Sequence, residues 1–184
     1  MKNYFIKIIL LLVVFVGCKK EQNPFQIAKE NIGLLTDSTQ VKDLESVFIN
    51  DSIVQYKGEG EFTGDINNIE IFNKEGKKIL VLSPSKIQDS TSVISNVNIL
   101  DSNYKTDKNI SLLSTFKDIQ DNYKISRIDN LINSVVVTVN EINATFTIDK
   151  KELPASLRFD RKLKIEATHI PDGAKIKYFF INWN

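Results

Sequence analysis

Few side chains in this sequence could do covalent or acid–base chemistry. The chain of 184 residues contains one cysteine, Cys18, and one histidine, His169. A lone histidine rules out an imidazole cluster for zinc, and any Ser/His/Asp triad would have to use it. His169 stands in Ala167-Thr168-His169-Ile170-Pro171, at an expected strand end with no nucleophile elbow nearby, so a structural role is the simpler expectation. Carboxylates remain. Glu59 and Glu61 flank Gly60, and on a strand residues two apart share a face. Glycosidases need carboxyl groups roughly 5 to 9 Å apart, which such neighbours can meet, but they draw them from separate elements into a cleft. A solvated hairpin therefore accounts for the pair better. Asp101 and Asp160 complete the candidates for acid–base work. The glycines around Glu59 lack the spacing, the following helix and the Lys-Ser/Thr of a phosphate loop. Loop oxygens for calcium are plentiful, yet no Asp-x-Asn-x-Asp-Gly series appears, so no metal ligand and no cofactor is assigned.

The elements begin with a sharp N-terminal pattern. Lys2 and Lys7 precede an uninterrupted apolar run from Ile8 to Val16, closed by Gly17-Cys18. This is the layout of a signal peptide. As a helix the run rises about 13 Å against a bilayer core of about 30 Å, too short to span it. The ending Val14-Phe15-Val16-Gly17-Cys18 resembles the lipobox of bacterial lipoproteins, with Phe15 where an aliphatic residue is usual. That resemblance implies cleavage between Gly17 and Cys18, acylation of Cys18, and a membrane partner reached through two or three acyl chains. Each buried methylene adds about 0.8 kcal/mol, so several chains hold where one is marginal. Lys19 follows Cys18 where inner-membrane retention would place Asp, which favours the outer membrane, facing either the periplasm or the surface.

The division expected is a signal over 1–17, the lipidated Cys18 with a polar tether over 18–25, and one domain over 26–184. The chain is 42% hydrophobic with a formal net charge of +1, which excludes disorder and disfavours nucleic acid. Short runs rich in Ile, Val, Thr, Phe and Tyr predict strands near 53–57, 60–64, 68–73, 78–83, 92–100, 125–129, 134–140, 143–148, 162–168 and 174–183. Val135-Val136-Val137 lacks alternation, as in a strand covered on both faces. Ile176, Tyr178 and Phe180 alternate with Lys175, Lys177 and Phe179, and Trp183 follows. These aromatics form either a binding patch or a closing core strand, the second being simpler. Helices are expected after Ser38-Thr39, with Val41, Leu44, Val47 and Phe48 on one face, and after Ser114-Thr115, with Phe116, Ile119 and Tyr123. Thr115 with Asp118 reads as a capping box.

The fold class is therefore α+β, a mostly antiparallel sheet with two short helices packed on it. Ile32-Gly33-Leu34-Leu35 with Ser38-Thr39 parallels Ile110-Ser111-Leu112-Leu113 with Ser114-Thr115. Repeats over 31–100 and 109–184 explain the parallel, and so does the common physics of capped amphipathic helices. The tandem layout is similar to the β-lactamase inhibitor protein family and to small modules of outer-membrane assembly lipoproteins. Ile32 through Thr39, Val97-Asn98-Ile99-Leu100-Asp101-Ser102, Ile110 through Ile119, and Lys175-Ile176 with Ile181-Asn182-Trp183 occur in an order that resembles an enterobacterial lipoprotein family under envelope-stress control, whose domain has no assigned function. That resemblance implies an outer-membrane lipoprotein and supplies no catalytic residue. Asp37-Ser38-Thr39, Asp51-Ser52-Ile53 and Asp89-Ser90-Thr91 also resemble short O-glycosylation acceptors. Two functional readings follow. One is a non-enzymatic module whose sheet face or edge meets an envelope protein, peptidoglycan or a lipid. The other is a hydrolase of envelope polymers using Glu59, Glu61, Asp101 or Asp160.

Overall fold

The computed structural model describes residues 23–55, 67–160 and 163–183. Gly17, Cys18, most of the tether, Glu59 and Glu61, and the strand expected at 60–64 lie outside them. In chain order the elements are β1 Gln26–Ile27, β2 Asn31–Ile32, β3 Leu35–Thr36, α1 Leu44–Val47 after a 3-10 turn, β4 Ser52–Gln55, β5 Ile69–Phe72, β6 Lys78–Pro84, β7 Ile94–Ile99 and β8 Lys105–Thr106. Then come α2 Phe116–Asn122, β9 Arg127–Asn130, β10 Ser134–Val139, β11 Ala144–Asp149 and β12 Ile176–Asn182. The fold is α+β, as the alternating patterns imply.

An antiparallel sheet of eight strands runs β4-β5-β6-β7-β12-β11-β10-β9. Its order has a centre: each half is a short helix followed by a four-strand meander, and the meanders meet through their last strands, with Ile99 opposite Phe179 and Val97 opposite Ile181. A small sheet, β3-β2-β1-β8, joins the two helices in the core that covers one face of the large one. In that core Leu44 and Phe48 from the α1 region and Phe116, Ile119 and Tyr123 from the α2 region meet Ile71, Leu80, Val97, Val137, Phe146 and Phe179. Gly33 takes the turn between β2 and β3 at φ +56, where a Cβ would lie 2.1 Å from the Pro24 carbonyl oxygen. Only glycine fits there.

Several expectations are corrected. The 162–168 segment is no strand: 163–166 is irregular and Ala167–His169 is a 3-10 turn. Asn130 explains this, because its side-chain amide donates to the carbonyls of Asp160 (3.0 Å) and Leu163 (2.8 Å), binding the segment to the edge of β9 without a ladder. Thr39 does not cap the first helix. Gln40 stands at the N-cap of the preceding 3-10 turn and Asp43 at that of α1, and the Thr39 hydroxyl accepts from the Thr36 N–H at 2.9 Å, closing a turn instead. Val136 is only half-buried, so β10 is covered by a second layer on one face alone. A bulge between Thr147 and Ile148 breaks the alternation in β12, so Ile176, Phe179 and Ile181 point inward while Tyr178 and Phe180 point outward. Four very short strands, β1, β2, β3 and β8, were not expected.

Candidate functional site

The functional residues read from the sequence are scattered. His169 is half-buried in its 3-10 turn, and its Nδ1 accepts from the Glu166 N–H at 3.1 Å, so it caps that turn. Asp101 is 3% exposed; Lys77 Nζ lies 2.8 Å from its carboxylate and the Asn103 N–H donates to it at 2.8 Å. Burial pushes its carboxyl up, but Lys77 and the Asn103 N–H outweigh that and hold it below the ordinary carboxylate value. Asp160 lies against β9, and four strand spacings separate β9 from β7, the strand that leads into Asp101. At about 4.8 Å per spacing the two strands stand roughly 19 Å apart, so nothing brings these two carboxylates together as a pair. The terminal aromatics divide between the core and the outer face. Phe179 stacks with Phe146 at 4.6 Å in the core, and Trp183 donates from Nε1 to the Lys29 carbonyl at 2.9 Å. Tyr178 and Phe180 lie 6.1 Å apart on the outer face.

Two surfaces do collect functional groups. The first is a groove of about 440 Å³ at the start of the folded region, lined by Pro24, Phe25, Leu34, Phe48, Asp51, Asp101 and Tyr104 among others. Asp51, singled out in the sequence only within an acceptor-like tripeptide and not for acid–base work, has its carboxyl raised by burial, with Lys74 partly offsetting the effect. Burial, with Asp51 and Asp101 close by, also pushes the Tyr104 phenol well above its ordinary value. One carboxyl raised beside one lowered is the arrangement acid–base chemistry uses. Only the contact between distant loops could have revealed Asp51.

The second is the open face of the eight-stranded sheet. Opposite residues form a continuous row there: Val81, Asn98, Phe180, Thr145 and Thr138. The next row is polar. Asn96 donates to Asn182 at 2.7 Å, Asn182 to Thr145 at 3.2 Å, and Ser83 to Asn68 at 2.9 Å. Asn98 Oδ1 and Thr138 Oγ1, both enclosed, have no hydrogen-bond partner. Buried polar atoms are ordinarily satisfied, so the two mark where this row is incomplete. No described layer packs on this face.

Among the described residues, no three His, Cys, Asp or Glu side chains converge to hold a metal, and no helix is long and apolar enough to cross a membrane. The fold is shared with a solved structure, that of the uncharacterized protein yfeY from Escherichia coli. The TM-score is 0.53 at 13% identity, covering 85% of this chain and 99% of that one. No family model matches the sequence. No curated protein matches it either. At this identity the likeness concerns the fold alone, which is that of an uncharacterised enterobacterial protein.

Proposed function

We propose that the chain is a bacterial envelope lipoprotein, cleaved before Cys18 and held by acyl chains in the outer membrane, whose domain is a non-enzymatic binding module for another envelope protein. The apolar run ending in Gly17-Cys18 supports the anchor. The resemblance to an enterobacterial lipoprotein family under envelope-stress control agrees with a fold held in common with an Escherichia coli protein. One observation carries the binding role: the large sheet has an open face with an amide-rich row and two outward aromatics. Tyr and Phe beside adaptable hydrogen-bonding groups are what protein recognition uses. Carboxylate-dependent hydrolysis is the second reading, favoured by the opposed shifts of Asp51 and Asp101 in the groove.

A photo-crosslinking residue at Tyr178, in cells, tests the first reading, with Leu113 in the loop entering α2 as the control position. Tyr178 should yield a reproducible adduct that Leu113 does not, and Cys18→Ser carrying an ordinary signal should lose it. Equal adducts at both positions, or none from a folded and correctly placed domain, would overturn the proposal. Asp51→Asn should leave the adduct and the envelope unchanged; an envelope defect with the adduct intact would transfer the function to the groove.

A further inference from the structure

A cleft of about 580 Å³ opens where β10, β11 and β12 come together, lined by Ile132, Asn133, Asp149, Lys150, Lys151, Arg158, Phe159 and Lys177. Four cations thus face one carboxylate, in a chain whose net charge is only +1. That carboxylate is already engaged, since Asp149 accepts from Lys177 Nζ at 3.0 Å and from the Lys151 N–H at 3.0 Å. Arg158 donates to neutral oxygens, from Nε to the Leu153 carbonyl at 2.8 Å and from Nη2 to the Lys151 carbonyl at 3.0 Å, which fixes its guanidinium without neutralising it. Lys150 is the telling residue. It is 4% exposed, and its Nζ is enclosed with no hydrogen-bond partner. A buried amine with no partner is costly, and an anion entering the cleft that Lys150 lines would satisfy it.

The rim is apolar. Phe159 is 88% exposed and Ile132 60%, and both line the cleft with the cations. A free phosphate would gain nothing from them, whereas an amphiphile would. Position agrees with this. The ends of β7 and β11 and the starts of β6, β10 and β12 lie at one end of the sheet, because Leu80 pairs with Ile99, Ile99 with Phe179, Ile148 with Ile176 and Ser134 with Asp149. The turn between β5 and β6 at this same end lines the groove that Pro24 and Phe25 also line, close to the start of the described chain. The cleft and the start of the described chain therefore lie at the same end of the sheet.

From this geometry we infer that the cleft binds the phosphate headgroup of an anionic membrane lipid, with Lys150, Lys151 and Arg158 on the phosphate and Phe159 and Ile132 entering the acyl region. The inference deepens the lipoprotein reading by giving the domain a second, non-covalent contact with the bilayer.

The test uses the unlipidated Cys18→Ser chain, so its outcome does not depend on acylation. Sedimentation with vesicles of equal parts phosphatidylglycerol and phosphatidylcholine should show binding that added salt weakens, and pure phosphatidylcholine vesicles should show none. Lys151→Gln and Arg158→Gln should each weaken binding about fivefold, as expected for one basic residue at an anionic surface. Lys150→Met should weaken it while raising Tm, since it removes an unpaired buried charge; a purely structural lysine would lower Tm. Phe159→Ser should release the vesicles with Tm unchanged. Equal binding to neutral vesicles would overturn the inference. So would tight binding of inorganic phosphate with no preference between vesicles, which would assign the cleft to a free anion. Failure of Cys18 acylation in cells would remove the anchor and leave the vesicle result standing.

Discussion

Single residues in this protein are governed mainly by how their polar atoms are satisfied. Tyr123 shows the effect on titration. It is buried, its hydroxyl donates to Asp107 at 2.9 Å, and Lys108 Nζ lies 4.1 Å from its ring centroid. Burial, reinforced by the hydrogen bond to Asp107, pushes the phenol from 10.0 up to about 12. The unfolded chain therefore releases this proton first. The stability it contributes is complete below pH 10 and is lost as pH rises through about 12. Tyr123→Phe should cost about 1 kcal/mol at neutral pH, and the gap to the parent chain should close in thermal melts above pH 10. A gap that stayed constant across that range would remove the linkage. At this scale the sequence was partly legible: His169 was expected to be structural, and it caps a turn. Asp51 was not legible as a functional candidate, because its raised carboxyl comes from chain segments distant in sequence.

At the scale of elements, local signals succeeded where the hydrogen bonds are local. Thr115 accepts from the Asp118 N–H and Asp118 accepts from the Thr115 N–H at 2.7 Å, the reciprocal box implied by their spacing. Thr115→Ala should lower stability by about 1 kcal/mol in denaturant titrations, and Thr115→Ser should restore most of it. An unchanged midpoint for Thr115→Ala would show that packing of Phe116 and Ile119 alone holds α2. Thr39 also follows a serine, but Lys42 stands where Asp118 completes the box of Thr115, and Thr39 takes the Thr36 N–H of β3 instead. The strand expected at 162–168 failed for a related reason. Its apolar residues Leu163 and Ile165 are at least half-buried as expected, but Asn130 captures the backbone carbonyl that a ladder would have used.

For the whole molecule, the decisive feature is the junction of β7 with β12, which joins two four-strand meanders into one sheet over one core. Cooperative unfolding follows, since neither half covers its apolar face alone. Trp183 fluorescence and far-UV ellipticity should report one coincident transition, and Phe146→Ala should shift both together by about 3–5 kcal/mol. Separate transitions would show that the halves fold independently.

The sequence alone determined the α+β class, most of the strands and the cap of α2, because side-chain periodicity and short-range hydrogen bonding are written along the chain. Three things were decided only by the tertiary structure. The bulge opposite Thr147 chose which β12 aromatics face outward, since one extra residue inverts every later side chain. The pairing of β7 with β12 chose the sheet order, which no local preference specifies. Finally, the meeting of strand ends gathered Lys150, Lys151, Arg158 and Lys177 around a single carboxylate. Along the chain these are ordinary surface charges; only their convergence, and the enclosure of Lys150 Nζ, makes a site.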